Sequence, residues 1–344
     1  IGGLEVSREL ALSVPGILRG LTLISTTIAG LPIERIDGQG NRVDLGWLEQ
    51  PEAGRPRFQT IKDTIDDLIL EGRCIWLIHE RDTAGAPRFG GVEYIAPGRI
   101  GDIYLSNGGR TITVDGKPVD PRDVIAFEGI HDGIRRHGAR TIRTLLALEA
   151  AAKRYADTPL PAIALQDETG YVMDDDEIDT LLEDYKRSRN SEGASYIKGL
   201  KPIPLSWSSA DLQLIEGRAY MNTLVAALLG LPEQYIPGAG GGTGGGTTRY
   251  QNVTQDARAL VDYGLKSWLG AFESRLSMSD VQGRAWVNQV TPRGTRIRVV
   301  LDGLLRGNAQ EMADVVKTLI DAGVMVPEDA APLFDFIPKG KVPA

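Results

Sequence analysis

Apolar residues recur at helical spacing in several separate segments of the chain, and this spacing predicts its helices. Residues 14–30 and 58–71 each carry one apolar face, and glycine stands at or just after the end of each. Residues 250–276 predict a long helix in which Gly264 and Gly270 are the expected kink points. Its apolar face comprises Leu260, Val261, Leu265, Trp268, Leu269, Phe272 and Leu276. Further helices are predicted over residues 139–157, 212–229 and 308–322.

Short runs of alternating or β-branched residues predict strands between these helices. In the first part of the chain the predicted strands cover residues 74–80, 91–95, 102–105, 110–114 and 124–127. Asn107 with Gly108, and Asp115 with Gly116, are hairpin turn signals. We therefore expect an α+β domain with a mostly antiparallel sheet. Two late strands, residues 284–289 and 296–301, are expected to rejoin that sheet.

Residues 158–208 are predicted to form a small insert with strands at residues 162–165, 195–198 and 203–205. Its helix opens on an acidic run at residues 174–177, which we interpret as capping because no other metal-ligand types stand nearby. The predicted buried side of this helix consists of Ile178, Leu181, Leu182 and Tyr185. A basic cluster in the insert contacts an acidic partner or forms a solvated face, and it comprises Lys186, Arg187, Arg189, Lys198 and Lys201.

A glycine run at residues 237–248 separates two strong helical patterns, reading Pro-Gly-Ala-Gly-Gly-Gly-Thr-Gly-Gly-Gly-Thr-Thr. Three interpretations compete: a disordered linker, a phosphate cradle, and a mobile loop facing a moving or irregular partner. Gly240, Gly242 and Gly245 fit G-x-G-x-x-G. However, that fingerprint follows a strand, whereas a helix is predicted before this run, and no Lys occupies the Walker position.

Composition narrows the function classes. The chain has 344 residues and a formal net charge of −8, which argues against a protein that wraps nucleic acid tightly. A single cysteine, Cys74, excludes internal disulfides and is predicted to be a buried small hydrophobe. His131 and His137 can approach each other, but no acidic pattern completes a metal site around them. With no cofactor or metal signature and no membrane-spanning stretch, we expect no cofactor and no membrane partner. The absence of a catalytic motif does not exclude an enzyme, but the chain offers no nucleophile or base to assign.

Taken in order, several short stretches resemble the portal proteins of tailed double-stranded DNA bacteriophages, of the siphophage type. The similarity covers nearly the whole chain and depends on order and spacing. The stretches are residues 21–32 (LTLISTTIAGLP), 47–51 (WLEQP), 70–76 (LEGRCIW), 124–127 (VIAF), 138–142 (GARTI), 224–232 (LVAALLGLP), 304–306 (LLR) and 321–324 (DAGV). The chain departs from the family where Val326-Pro327-Glu328-Asp329 replaces the usual Asn-Glu, and in its longer glycine run.

The resemblance implies a portal-type α+β fold whose parts have separate roles. Residues 1–138 would form the N-terminal part of an α/β wing, and residues 250–306 a long helix with further wing strands. The two-helix stem would be residues 139–157 and 209–230, and the small α+β clip between them residues 158–208. The tunnel loop would be residues 231–249, and the short C-terminal helical crown residues 307–344.

The resemblance also implies partners and a location. The chain would form a ring with itself, usually a dodecamer, at the capsid vertex of the virion, after assembly in the host cytoplasm. Double-stranded DNA would pass non-specifically through the channel during packaging and ejection, with the major capsid protein around the ring. The terminase large subunit and the head–tail adaptor would dock on the clip, at the basic cluster named above.

The tunnel loop would face the DNA. The residues implied are Gly238, Gly240, Gly241, Gly242, Thr243, Gly244, Gly245, Gly246, Thr247 and Arg249. Arg249 would touch phosphate or form a salt bridge to a neighbouring subunit. Two alternatives to a portal remain open: a nucleotide-binding enzyme that uses the glycine-rich loop, and another phage head or connector structural protein.

Overall fold

The computed structural model describes residues 5–83, 85–104, 110–157, 163–167, 174–191, 200–204, 214–239, 258–278, 290–301, 316–323 and 326. The chain divides into two compact units. The larger unit combines Ile1–Leu145 with Ala219–Ala344, and the smaller is Leu146–Arg218. The glycine run from residue 240 onward, the predicted strands at 195–198 and 284–289, and residues 308–315 of the last predicted helix lie outside the described residues.

The helices agree closely with the spacing of apolar residues. They are α1 (Arg8–Leu12), α2 (Pro15–Gly30), α3 (Arg57–Leu70), α4 (Ile134–His137), α5 (Ala139–Asp157), α6 (Asp175–Ser191), α7 (Leu214–Leu229) and α8 (Lys266–Leu276). A π-helix, Leu260–Leu265, runs directly into α8. Residues 316–321 are also helical. The predicted helices at 14–30, 58–71, 139–157 and 212–229 are therefore confirmed.

The strands form small antiparallel sheets rather than one large sheet. In chain order they are β1 (Ile33–Ile36), β2 (Arg42–Val43), β3 (Arg73–Ile78), β4 (Val92–Ile95), β5 (Ile100–Tyr104), β6 (Arg110–Val114), β7 (Lys117–Pro118), β8 (Val124–Glu128), β9 (Ile163–Asp167), β10 (Leu200–Pro204) and β11 (Arg296–Val299). The sheet orders are β11-β1-β2, β4-β3-β8, β5-β6-β7 and β10-β9. The predicted α+β class is confirmed.

The late strand β11 does not rejoin the β3 sheet, and that expectation was wrong. It pairs with β1, where Ile33 lies opposite Val299 and Ile36 opposite Arg296. Both strands have four residues, and their inward side chains, such as Ile36 and Ile297, are buried. A strand this short gives a weak alternation signal, which is why β1 was not predicted.

The core of the larger unit is built around Trp76 on β3. Its ring packs on Phe127 of β8, with ring centroids 4.8 Å apart, and on Phe272 of α8 at 6.3 Å. The indole Nε1 of Trp76 donates a hydrogen bond of 2.8 Å to Oγ1 of Thr64 on α3. Cys74 is fully buried in this region, as predicted. Helices α3 and α8 are therefore fixed to the β4-β3-β8 sheet by one aromatic cluster.

A buried ionic contact ties α1 to α3. Nη1 of Arg8 lies 2.6 Å from Oδ1 of Asp67, and the hydroxyl of Tyr94 donates to Oδ2 of Asp67 at 2.6 Å. The Asp67 side chain is 0% exposed, against 31% for Arg8. Because burial outweighs the attraction of Arg8, the pKa of Asp67 is raised to about 6.

The smaller unit contains α6 and the antiparallel pair of strands β9 and β10, which stand on either side of α6 in the sequence. The backbone amide of Glu177 donates to Oδ1 of Asp174 at 2.9 Å, and the amide of Asp174 donates to Oε2 of Glu177 at 3.4 Å. This reciprocal capping confirms the interpretation of the acidic run. The predicted buried side of α6 was wrong for Ile178 and Leu182, which are 40% and 39% exposed. Apolar spacing identified the right face of the helix but not what covers it.

Candidate functional site at the base of the glycine run

Helix α7 ends in a turn that fixes how the chain enters the glycine run. Gly230 adopts a left-handed conformation with φ of 67°. Its amide bonds to the carbonyl of Ala227 at 3.2 Å, and the amide of Leu231 bonds to that of Ala226 at 2.9 Å. This pair of bonds is the Schellman motif, and Pro232 directly after it prevents the helix from continuing. The helix end predicted from Gly-Leu-Pro is confirmed.

After this turn the chain packs into a notch on α2 formed by Gly16 and Gly20. A Cβ added to Gly20 would overlap Leu229 and would lie 3.0 Å from Ile236 and 3.1 Å from Leu231. A Cβ on Gly16 would lie 3.2 Å from Ile236. Leu231 and Ile236 are both buried. Two glycines one helical turn apart therefore allow this segment to approach the backbone of α2 closely.

The chain returns from the glycine run through the π-helix, which meets the outgoing segment. A Cβ on Gly264 would lie 2.8 Å from Cδ2 of Leu231, and a Cβ on Gly230 would lie 3.5 Å from the carbonyl oxygen of Tyr263. The segments before and after the glycine run thus contact each other in the core. We call this contact region, residues 230–239 with 260–265, the loop base.

The π-helix lies at the start of a regular stripe of buried residues. The buried residues here follow a strict spacing of four: Leu260, Gly264, Trp268, Phe272 and Leu276, with Val261, Leu265 and Leu269 beside them. In a regular α-helix of 3.6 residues per turn, a spacing of four drifts steadily around the helix axis. A wider π turn reduces that drift over residues 260–265, while Trp268, Phe272 and Leu276 stay buried at the same spacing within the regular helix α8. Of the two predicted kink points, Gly264 lies in the π-helix, whereas Gly270 lies within α8.

A side-chain hydrogen bond also holds the start of the glycine run against α7. Nδ2 of Asn222 on α7 donates to the carbonyl of Pro237 at 3.1 Å. Gly238 follows with φ of 74°, and the amide of Ala239 bonds to the carbonyl of Ile236 at 3.2 Å. Gly238 is the one implied tunnel-loop residue that the structure describes. The other nine, from Gly240 to Arg249, lie outside the described residues.

The described residues of the loop base bury apolar groups and expose their charges. Glu233 and Asp262 are exposed, and Nζ of Lys266 lies 4.0 Å from Oδ1 of Asp262. The Tyr263 side chain is 72% exposed. Among these described residues, no buried acid or base stands ready for proton transfer. The arrangement packs the segments on either side of the glycine run together in the core.

The phosphate-cradle interpretation loses support from the local structure. The dinucleotide fingerprint requires a strand before the glycines. Here the described chain before the run consists of α7 and a 3-10 turn, Glu233–Tyr235. The nucleotide-binding alternative is therefore not favoured.

The structure describes only part of the insert's basic cluster. Arg187 on α6 is exposed and lies 3.2 Å from Asp184. Lys186 and Arg189 occupy the same helix and Lys201 lies on β10, while Lys198 is outside the described residues.

His131 and His137 do approach each other, with ring centroids 6.2 Å apart. Within the described part of the chain, no group of three or more His, Cys, Asp or Glu side chains is placed to hold a metal ion.

One family of known proteins matches nearly the whole chain. The family described as phage portal protein matches residues 15–335. No curated protein matches the chain. None of the described helices is long and apolar enough to cross a membrane.

Solved structures are similar over most of the chain. A HK97-family phage portal protein from Corynebacterium diphtheriae is 26% identical, with a TM-score of 0.65 over 87% of this chain and 96% of that chain. The neck of an empty gene transfer agent particle, computed with C6 symmetry, has a chain 18% identical with a TM-score of 0.62, covering 98% and 96%. The virion of a native gene transfer agent gives 18% identity and a TM-score of 0.63, covering 96% and 92%.

Proposed function

The chain belongs to the phage portal protein family, and from that premise we propose that copies of it close into a ring at the capsid vertex through which double-stranded DNA is packaged and ejected. A related fold occurs in the neck of a native gene transfer agent particle computed with C12 symmetry, which supports a dodecamer. In such a ring each subunit uses one surface to contact its neighbour's different surface, and the rotation closes.

The loop base is the observation that carries the assignment of the tunnel loop. Leu231, before the glycine run, and Gly264, after it, contact each other in the core. A channel must contact DNA without gripping it, and glycine offers backbone contacts without base readout. A formal net charge of −8 repels phosphate at long range. We propose that Gly238, residues 240–247 and Arg249 face the duplex.

The remaining parts follow the proposed division of the chain. Residues 1–138 and 250–306 supply the wing, which meets the major capsid protein, and residues 307–344 the crown. Residues 139–157 and 209–230 form the stem around the clip, residues 158–208. The terminase large subunit and then the head–tail adaptor dock on the clip, so the ATPase of the packaging motor is a separate chain. The protein acts as a structural ring without enzymatic activity, in the host cytoplasm during assembly and then in the virion.

Electron microscopy of the purified protein, with native mass to count subunits, tests the ring. We expect closed rings with a central hole that admits a duplex. Gly241→Ala with Gly242→Ala tests the loop: the rings should form normally, while packaging or retention of DNA falls. Gly270→Ala is a matched control, since a Cβ there meets no described atom within 4 Å. Nucleotide binding by the wild type that the double variant abolishes would refute the proposal in favour of the enzyme.

A further inference from the structure

A histidine in the loop between β8 and α4 packs its ring against helix α8. The ring centroid of His131 lies 5.4 Å from that of Trp268, and the two ring planes are nearly perpendicular at 88°. Trp268 is buried, whereas His131 is half-buried. Helix α8 directly continues the π-helix of the loop base. The imidazole therefore joins residues 129–133, which we call the histidine loop, to the helix that returns from the glycine run.

Glycines allow the backbone of the histidine loop to pack closely against the end of α3. The amide of Gly129 donates to the carbonyl of Gly72 at 2.8 Å. A Cβ on Gly72 would lie 2.5 Å from the carbonyl oxygen of His131, and a Cβ on Gly133 would overlap the carbonyl oxygen of Leu70. Gly133 also has φ of 83°, which glycine adopts without a steric cost. This close fit fixes the position from which the imidazole reaches α8.

The ring of His131 also holds its own loop through Nδ1. The amide of Gly133, a buried residue, donates to this nitrogen at 3.0 Å. Nδ1 can accept only in the neutral imidazole whose proton is on Nε2, because both nitrogens of the charged ring are donors. Protonation would therefore leave a buried amide without its acceptor, and an unsatisfied buried donor is destabilising. The observed loop conformation thus requires a neutral His131.

The surroundings of His131 oppose its protonation on balance. Burial lowers its pKa below the usual 6.5, a positive charge on His137 lowers it further, and Asp132 acts in the opposite direction. Helix α8 contributes the uncharged Trp268. The other charged groups line a cleft that His131 and Asp132 also line, and they are Glu5, Glu71, Arg73, Glu128 and Arg136. Stabilisation by the neutral ring is therefore present above about pH 6.5 and lost as the pH falls through the lowered pKa.

We propose that His131 is a pH-sensitive switch that holds the histidine loop on α8 while it is neutral and releases the loop when it takes up a proton. The proton comes from solvent and adds to Nδ1, so the amide of Gly133 loses its acceptor and the charged ring moves towards water. Release uncovers Trp268. Because α8 continues the π-helix, acidification would loosen the packing around the segment that returns from the glycine run.

Two signals report the switch in the purified protein. Hydrogen exchange, corrected for the intrinsic effect of pH, should show that residues 129–133 lose protection between about pH 7.5 and about pH 5. Quenching of tryptophan fluorescence by acrylamide should rise over the same range, and Trp268→Phe identifies the part of that signal that comes from α8.

His131→Asn is the central variant. Its amide oxygen can accept from Gly133 near the position of Nδ1, but it does not titrate. Both signals should therefore become independent of pH over this range. His79→Asn is the matched control, because His79 is exposed and its Nε2 lies 2.6 Å from Oε2 of Glu93, away from the histidine loop in sequence. This variant should keep both transitions.

The neighbouring charges give a second, independent test. His137→Gln removes a positive neighbour and should move the midpoint of both transitions to higher pH. Asp132→Asn removes a negative neighbour and should move the midpoint to lower pH. A merely structural role of His131 predicts no such opposite shifts.

Two results would overturn the switch: transitions that persist in His131→Asn, or midpoints that His137→Gln and Asp132→Asn leave in place. Asp67 has its pKa raised to about 6, so Asp67→Asn is measured as well. Loss of both transitions in that variant would assign them to α3 and contradict the switch. Circular dichroism confirms that each variant is folded. These measurements do not require a ring, so their outcome is separate from the test of the proposed function.

Discussion

A methyl group added at Gly264 tests whether this residue really contacts Leu231, so that the segments before and after the glycine run meet in the core. The Cβ of alanine there would lie 2.8 Å from Cδ2 of Leu231 and 3.3 Å from Cδ1 of Leu260. Overpacking of this kind costs about 1–3 kcal/mol. Replacing glycine inside a helix returns about 1 kcal/mol through backbone entropy. Gly264→Ala should therefore lower the free energy of unfolding by about 0–2 kcal/mol.

Gly270→Ala is the matched control, because it lies in α8 and its Cβ would meet no described atom within 4 Å. This variant should gain about 1 kcal/mol. The two alanine variants should thus differ by about 1–3 kcal/mol, although they make the same chemical change six residues apart. Urea denaturation followed by tryptophan fluorescence measures both, and an unchanged slope ensures that the shift in midpoint reports stability.

The reasoning fails if both variants are stabilised equally. Leu231 would then not pack on Gly264, and the loop base would not close. Equal destabilisation would instead show that the helix rejects alanine for a reason unrelated to Leu231.

Two further predictions concern the notch on α2 and the buried carboxylate on α3. Gly20→Ala should cost about 1–3 kcal/mol by overlap with Leu229 and regain about 1 kcal/mol of helix propensity, for a net loss of about 0–2 kcal/mol, whereas Gly30→Ala at the end of the same helix, with no described atom within 4 Å of its Cβ, should not destabilise; equal thermal stability of the two would contradict the notch. The pKa of Asp67 is raised to about 6, so the native state keeps this proton longer than the unfolded chain, and the resulting stabilisation is complete below about pH 4 and lost as the pH rises through 6. Relative to Asp67→Asn, the wild type should lose about 2 kcal/mol of unfolding free energy between pH 4 and pH 7, and a pH-independent difference between the two proteins would refute the raised pKa.

Local patterns predicted the elements whose cause is local. Helix α2 begins with Pro15 at its first position, and α7 ends at Gly230, because each signal acts within a few residues. The turn at Asp115 and Gly116 has φ of 51° and 75°, as its Asp-Gly sequence requires. Such features do not depend on the rest of the fold.

Contacts between distant residues were harder to foresee. Ile33 pairs with Val299 across most of the chain, and nothing near either residue specifies the other. The notch at Gly16 and Gly20 could be read only once its occupant, Ile236, was known. The π-helix left no distinct signal either, since the same four-residue spacing continues from Trp268 to Leu276 through the regular helix α8.

In the proposed ring, the contact between Leu231 and Gly264 would separate the lining of the channel from the helices that support it. Because Leu231 and Gly264 meet in the core, we expect a change in the number of residues between 240 and 257 to leave that contact intact. Closure entropy grows so slowly with length that doubling such a segment costs about 0.6 kcal/mol. If the proposed tunnel loop lines the channel, its aperture should then be open to narrowing, widening or labelling through this segment alone.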